Sequence, residues 1–264
     1  MTGNRYVPFR SHVREIVRHT EYEQTFRLEY SGSVLPGQFF EVSIPHYGEA
    51  PISVSGIGEG MIDLTIRRVG KVTGQIFSLE PGDSLLLRGP YGNGFDVAEY
   101  RGRELFVIAG GTGVSPVRGL VDYFARHRNE VPSLTFVAGF KSPADILFAD
   151  DFARWDRLID LILTTDDNGG DAKYRQGLVT KYIPGLHVAD PDSARAVVVG
   201  PPGMMAAVAK AMLERGFAER NIWISHERRM CCGLGKCGHC RINDTYVCVD
   251  GPVFNYERGK ELVD

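Results

Sequence analysis

Between residues 12 and 88 apolar and polar positions alternate in short runs. The segments 12–19, 24–30, 39–44, 61–68 and 84–88 each show that alternation over strand length. Turn-forming groups bound them: Ser31-Gly32-Ser33, Pro36-Gly37, Gly58-Glu59-Gly60 and Pro81-Gly82-Asp83. Closely spaced short strands with no long helical pattern predict a small antiparallel barrel. One short helix is expected inside it over 73–79, where Val72, Ile76 and Leu79 share a face.

The pattern changes near Gly102. Leu105-Phe106-Val107-Ile108-Ala109 is a continuous apolar run, the kind buried on both faces of a parallel sheet. It leads into Gly110-Gly111-Thr112-Gly113-Val114-Ser115-Pro116 and then a helical stripe of Val117, Leu120, Val121 and Phe124. Further strands are expected over 134–139, 158–164, 196–200 and 221–225, with a helix over 203–215. Alternating β and α units of this length predict an open, doubly wound parallel α/β sheet. The expected division is 1–100 for the barrel, 101–225 for the α/β domain and 226–264 for a C-terminal cysteine segment.

Composition changes the picture little. With 43% hydrophobic and 24% charged residues the 264-residue chain reads as an ordinary globular protein. A net charge of -3 gives no electrostatic case for nucleic acid or an anionic membrane. The charged N-terminus has no signal-peptide h-region and the apolar runs are strand-sized, so a cytoplasmic protein without membrane insertion is expected.

The cysteines carry more information. All five lie between Cys231 and Cys248, in Cys231-Cys232-Gly233-Leu234-Gly235-Lys236-Cys237-Gly238-His239-Cys240 and a hairpin leading to Cys248. Such clustering argues against a secreted disulfide framework. Read as Cys232-x4-Cys237-x2-Cys240 with a later Cys248, the spacing is that of a plant-type [2Fe–2S] loop. Gly233, Gly235 and Gly238 permit the tight bend and let amide N–H groups approach the sulfurs. A structural zinc knot is the alternative, although paired Cys-x2-Cys motifs are more usual there. Cys231 is surplus to the spacing and reads as a free thiol.

Four further stretches suggest ligands. The turns Gly111-Thr112-Gly113 and Gly200-Pro201-Pro202 both follow expected parallel strands, the edge where open α/β sheets bind dinucleotides. Pro116 departs from a strict G-x-G-x-x-G, and simple strand–helix packing is the competing explanation for each turn. In the barrel, Pro51-Ile52-Ser53-Val54 offers a surface for a planar ring. Arg67, Gly70, Lys71, Val72 and Thr73 offer an anion cradle, against which stands a plain exposed basic strand end.

Taken in order, Pro51-Ile52-Ser53-Val54, Gly70-Lys71-Val72-Thr73, Gly89-Pro90-Tyr91-Gly92, Gly110 to Pro116 and Gly200-Pro201-Pro202 resemble the ferredoxin–NADP⁺ reductase superfamily over nearly the whole chain. The cysteine loop running into Asp250-Gly251-Pro252-Val253-Phe254 resembles the subgroup with the dihydroorotate dehydrogenase electron-transfer subunit. The segments 48–55 and 227–240 look more narrowly like the B subunits of anaerobic sulfite reductases, with the gamma subunits of sulfhydrogenases as the nearest relatives. The resemblance implies an FAD-binding barrel, an NAD(P)H-binding α/β domain and a C-terminal [2Fe–2S] loop. It implies that Pro51, Ile52, Ser53 and Val54 line the isoalloxazine, and that Arg67, Gly70, Lys71, Val72 and Thr73 hold the flavin diphosphate. Gly111, Thr112, Gly113, Gly200, Pro201 and Pro202 would take the nicotinamide dinucleotide, and Cys232, Cys237, Cys240 and Cys248 the irons. Ala50 stands where many members have a phosphate-binding arginine, which leaves Arg67, Arg68 or Lys71 to compensate.

The function expected is transfer of a hydride from NADH, or NADPH, to FAD and of single electrons through the cluster to a separate sulfite-reducing subunit, with a ferredoxin-like subunit as a further partner. Lys141 is the one cation over 139–142, where a 2′-phosphate would want arginine, so NADH is preferred. A hydrogenase-type or dihydroorotate dehydrogenase partner is the alternative acceptor. A zinc-stabilised or redox-sensing binding module is the reading from another class. No catalytic acid is assigned, and His226 and His239 read as structural or surface residues. Arg228, Arg229, Lys236, Phe254 and Tyr256 mark the expected docking surface, with solvated charge as the plain alternative.

Overall fold

The computed structural model describes residues 4–262. Six strands, β1 (Phe9–Arg18), β2 (Glu23–Glu29), β3 (Phe39–Ile44), β4 (Gly48–Gly58), β5 (Met61–Arg67) and β6 (Ser84–Tyr91), close into an antiparallel barrel in the order β1-β2-β5-β4-β3-β6. Its interior is filled by Val13, Phe26, Leu28, Phe40, Val42, Val54, Ile62, Leu64 and Leu87, all essentially inaccessible. Closure leaves no free sheet edge.

The barrel helix, α1 (Lys71–Ile76), starts and ends earlier than the apolar spacing predicts. Thr73 lies in its third position rather than its first. There its hydroxyl accepts from the amides of Val69 (2.9 Å) and Gly70 (3.0 Å), fixing the helix start at Gly70.

The second sheet is built from β7 (Leu105–Gly110), β8 (Leu134–Phe140), β9 (Asp160–Thr165), β10 (Arg175–Gln176), β11 (Arg195–Val199) and β12 (Ile222–Ser225). It runs β10-β9-β8-β7-β11-β12, and then β15 (Val253–Asn255). The pairings from β10 to β12 are parallel. Helices α2 (Val114–Arg126), α3 (Ala149–Trp155) and α4 (Pro202–Glu214) connect the strands. β9 begins at Asp160 rather than Leu158. The amides of Leu158 (2.8 Å) and Ile159 (2.9 Å) both donate to Trp155 O, closing the turn after α3, and Leu158 is exposed.

Two compact units result. One takes residues 4–95 together with His226–Val253; the other takes Asp96–Ser225 with residues 254–262. The cysteine segment therefore belongs with the barrel. It includes a small hairpin, β13 (Arg241–Ile242) and β14 (Thr245–Tyr246). Among the described residues no helix is long and apolar enough to cross a membrane.

Candidate functional site

In the α/β unit the reversal of strand order falls between β7 and β11, which pair through Ala109 and Val199. Both glycine turns leave the sheet there, at the carboxyl ends of adjacent strands, where such sheets bind ligands. Gly111–Gly113 forms a single 3₁₀ turn running straight into α2, with Gly111 in the left-handed region (φ 56°). Gly200 leads through Pro201 into α4, which starts at Pro202.

At Gly113 the turn is packed without room for a side chain. A Cβ on Gly113 would lie 2.5 Å from Val199 O and 2.8 Å from Gly200 Cα. Those contacts are backbone and cannot rotate away. Gly113→Ala is therefore expected to force β7 and β11 apart, at about 1–3 kcal/mol of stability. It should also raise the NADH concentration needed for half-maximal dye reduction at least tenfold. A variant with normal Tm and normal NADH dependence would show that the close approach is not needed.

In the barrel unit, α1 packs on β3 and β4, and a Cβ on Gly48 would lie 3.4 Å from Val72 Cγ2. That packing brings the Gly70, Lys71, Val72 and Thr73 turn beside the strand carrying Pro51 to Val54. Ile52 and Val54 belong to the barrel core, so alternation turns Pro51 and Ser53 to the outer face, where both are half-buried. Arg67 pairs with Glu23 at 3.2 Å and Arg68 with Glu21 at 3.6 Å. Arg67 is 55% exposed in its pair, while Glu23 is 10% exposed. The Thr73 hydroxyl is committed to its backbone cap, while Lys71 is exposed.

The cysteine segment folds over the outer face of β3 and β6. Gly233 (φ 67°) sits so close to Tyr91 that a Cβ would lie 2.4 Å from its ring. The Asn93 side chain accepts from Val253 N (3.2 Å) and donates to Val253 O (2.7 Å), fixing the end of the segment.

Within the loop, backbone amides converge on sulfur. Cys232 Sγ accepts from Leu234 N (3.4 Å), Lys236 N (3.3 Å) and Cys237 N (3.5 Å), and Cys248 Sγ from Gly235 N (3.2 Å). Such donors stabilise the negative charge of thiolates and of sulfur-bound metal. The His239 amide holds the Cys237 thiol below its ordinary pKa, whereas burial pushes Cys248 up to about 12. Cys231 is exposed.

Of the four predicted ligands, Cys232 acts on the Cys237 thiol and Cys240 on the Cys248 thiol, and all four lie in the one segment where amides meet sulfur. Among the described residues no group of three or more His, Cys, Asp or Glu side chains is gathered to hold a single ion. Four cysteines in one loop, with amides aimed at sulfur, fit an iron–sulfur group.

Of the expected docking residues, Arg229 and Lys236 are exposed, but Phe254 is 4% exposed and is part of a packed strand, β15. Its aromatic character reports core packing and not a surface anchor, which corrects the expectation. Three residues that matter to the loop were missed in the sequence: Glu41, Glu49 and Arg88. The available signal was a charged residue on each of two otherwise apolar strands, Glu41 in β3 and Arg88 in β6.

Fold and site together define an NAD-linked oxidoreductase with an iron–sulfur-binding segment. Residues 107–210 match the oxidoreductase NAD-binding domain, and 227–258 the iron–sulfur cluster binding domain of dihydroorotate dehydrogenase B. The chain belongs to the family of sulfhydrogenase gamma subunits and dihydroorotate dehydrogenase electron-transfer subunits. It is 35% identical to sulfhydrogenase 1 subunit gamma of Pyrococcus furiosus, over 96% of this chain and 92% of that one. It is 34% identical to a probable dihydroorotate dehydrogenase B (NAD(+)) electron transfer subunit of Thermoplasma volcanium, over 93% and 88%. The solved structure of an NADH-dependent reduced ferredoxin–NADP oxidoreductase superposes with TM-score 0.80 and 26% identity, covering 99% of this chain and 93% of that one.

Proposed function

We propose that this chain is the NADH-oxidising electron-transfer subunit of a multisubunit redox complex, carrying FAD on its barrel and a [2Fe–2S] cluster in its cysteine loop. When bound, the nicotinamide supplies a hydride, the flavin changes two-electron into one-electron traffic, and the cluster holds one electron at a time. The chain's own residues bind and orient. Gly111, Thr112, Gly113, Gly200, Pro201 and Pro202 would present backbone to the dinucleotide. Pro51 and Ser53 would face the flavin ring, with Ile52 and Val54 supporting them from the core. Gly70, Lys71, Val72, Thr73 and Arg67 would serve the diphosphate, and Cys232, Cys237, Cys240 and Cys248 the irons.

The observation that supports the cluster reading is the convergence of backbone amides on Cys232 Sγ and Cys248 Sγ in a loop of plant-type spacing. Zinc analysis and iron and acid-labile sulfide counts on anaerobically purified protein test it. Two irons and two sulfides per chain, with visible bands bleached by NADH, are expected; a colourless protein with one zinc would overturn it. Relatives named as sulfhydrogenase and dihydroorotate dehydrogenase subunits favour a partner of one of those kinds over a sulfite-reducing subunit. The sulfite reading keeps the support of residues 48–55 and 227–240. In either case all five cysteines are in one loop, which leaves none for a second cysteine-held cluster.

A further inference from the structure

We propose that Arg88 is the positioning residue of the cysteine loop: its guanidinium fixes the two peptide groups that open the loop and thereby sets the reduction potential of the cluster held there. The inference rests on the iron–sulfur reading above.

Arg88 is 7% exposed and its three nitrogens are all engaged. Nε and Nη2 donate to the Glu49 carboxylate at 3.2 and 2.5 Å. Nη1 donates to Tyr91 Oη (3.2 Å) and to Cys232 O (3.1 Å), and Nη2 also reaches Cys231 O (2.8 Å). One planar cation thus joins β6, the start of β4 and two consecutive carbonyls of the loop. A buried charge so placed is costly unless every donor is used, and here each has an acceptor.

Orientation follows from peptide geometry. In a trans peptide the carbonyl and the following N–H point in opposite directions. Holding the carbonyls of Cys231 and Cys232 on the guanidinium therefore turns the N–H groups of Cys232 and Gly233 away from it. The next amides, of Leu234, Lys236 and Cys237, then fall on Cys232 Sγ. Hydrogen bonds to sulfur and nearby positive charge both favour the reduced, more negative cluster. Without the fork, Glu41 and Glu49 stay beneath the loop and the peptides lose their anchor. Lysine is not equivalent, because a point charge cannot span two carbonyls and a carboxylate.

The test is a redox titration of the full chain, followed by visible absorbance and paramagnetic resonance, for wild type, Arg88→Lys and Glu49→Gln. Arg88→Lys keeps the charge and loses the fork. It is expected to lower the equilibrium constant for cluster reduction at least tenfold, which is about 59 mV for a one-electron couple, and to change the resonance signature. Glu49→Gln removes a carboxylate, leaves the guanidinium to the carbonyls, and is expected to shift the constant the other way by at least threefold. If Arg88→Lys takes up no iron, Glu49→Gln decides alone, and an unchanged potential there overturns the proposal. An iron-loaded wild type whose variants both keep its potential overturns the role of Arg88 only. A wild type that takes up no iron overturns the cluster reading as well.

Discussion

Cys248→Ser is expected to strip the protein of iron, whereas Cys231→Ser leaves its iron content unchanged. Cys240 and Cys248 are each 1% exposed and flank the β13–β14 hairpin, so neither loss can be made good by a water or a passing side chain. Cys231 is exposed and one residue off the plant-type spacing. Losing an outer-shell partner of a metal ligand typically costs about 10–100-fold. Losing the ligand itself is expected to lower electron delivery to a one-electron acceptor protein by more than ~100-fold. On the proposed function hydride uptake needs the glycine turns and the barrel face but not the loop, so NADH should still bleach the flavin band. Iron and sulfide analysis with stopped-flow absorbance reads both effects. A Cys248→Ser protein that keeps its iron, paired with a Cys231→Ser protein that loses it, would move the ligand set.

Glu41→Gln should abolish a pH dependence of stability that the wild type carries. Glu41 is wholly buried on β3, between Pro51 of β4 and Arg88 of β6, and neither carboxyl oxygen has a hydrogen-bond partner. Burial, then the like charge of Glu49, pushes its pKa up from an ordinary 4.5 to about 8; Arg88 opposes this and Cys232 adds to it. The folded state therefore holds a proton that the unfolded chain releases at lower pH. Between pH 4.5 and about 8 the native state binds more protons, so stability falls as pH rises, by about 1.4 kcal/mol per unit. Below that window the acid is neutral in both states and the penalty vanishes. Glutamine has the same shape and no charge. Thermal midpoints of the two proteins should agree near pH 4.5 and separate steadily toward pH 8, with the variant higher. Parallel curves over that range would show Glu41 to be ionised or solvated in the native state.

The fold was legible where periodicity is strong. Alternation identified five of the barrel strands, and the run Leu105 to Ala109 announced a strand buried on both faces. Strand β4 was read only in its middle, over 50–55. Its outer half, Glu49 to Ser53, is less buried than a core strand and lacks a clean alternating pattern. The candidate ligand cysteines could be proposed from sequence because a metal would fix spacing along the chain. Arg88, Glu49 and Glu41 were not, because their meaning comes from strand register and from a loop more than 140 residues away in sequence. Phe254 was misread for the complementary reason: an aromatic next to a functional loop looks like an anchor until packing shows it buried.

The return of the chain to the barrel sets an order of assembly. The six barrel strands are complete once residue 91 has been made, and all their pairings, including the closing β1–β6 pair, lie within that stretch. The carbonyls that satisfy Arg88 arrive only with Cys231 and Cys232, after strands β7 to β12 have been synthesised. During that interval the guanidinium has only Glu49 and Tyr91 as partners on the barrel. On the iron–sulfur reading, the full set of thiolates exists only once Cys248 has been made, so loading would follow the barrel strands and β7 to β12 and would not nucleate their folding.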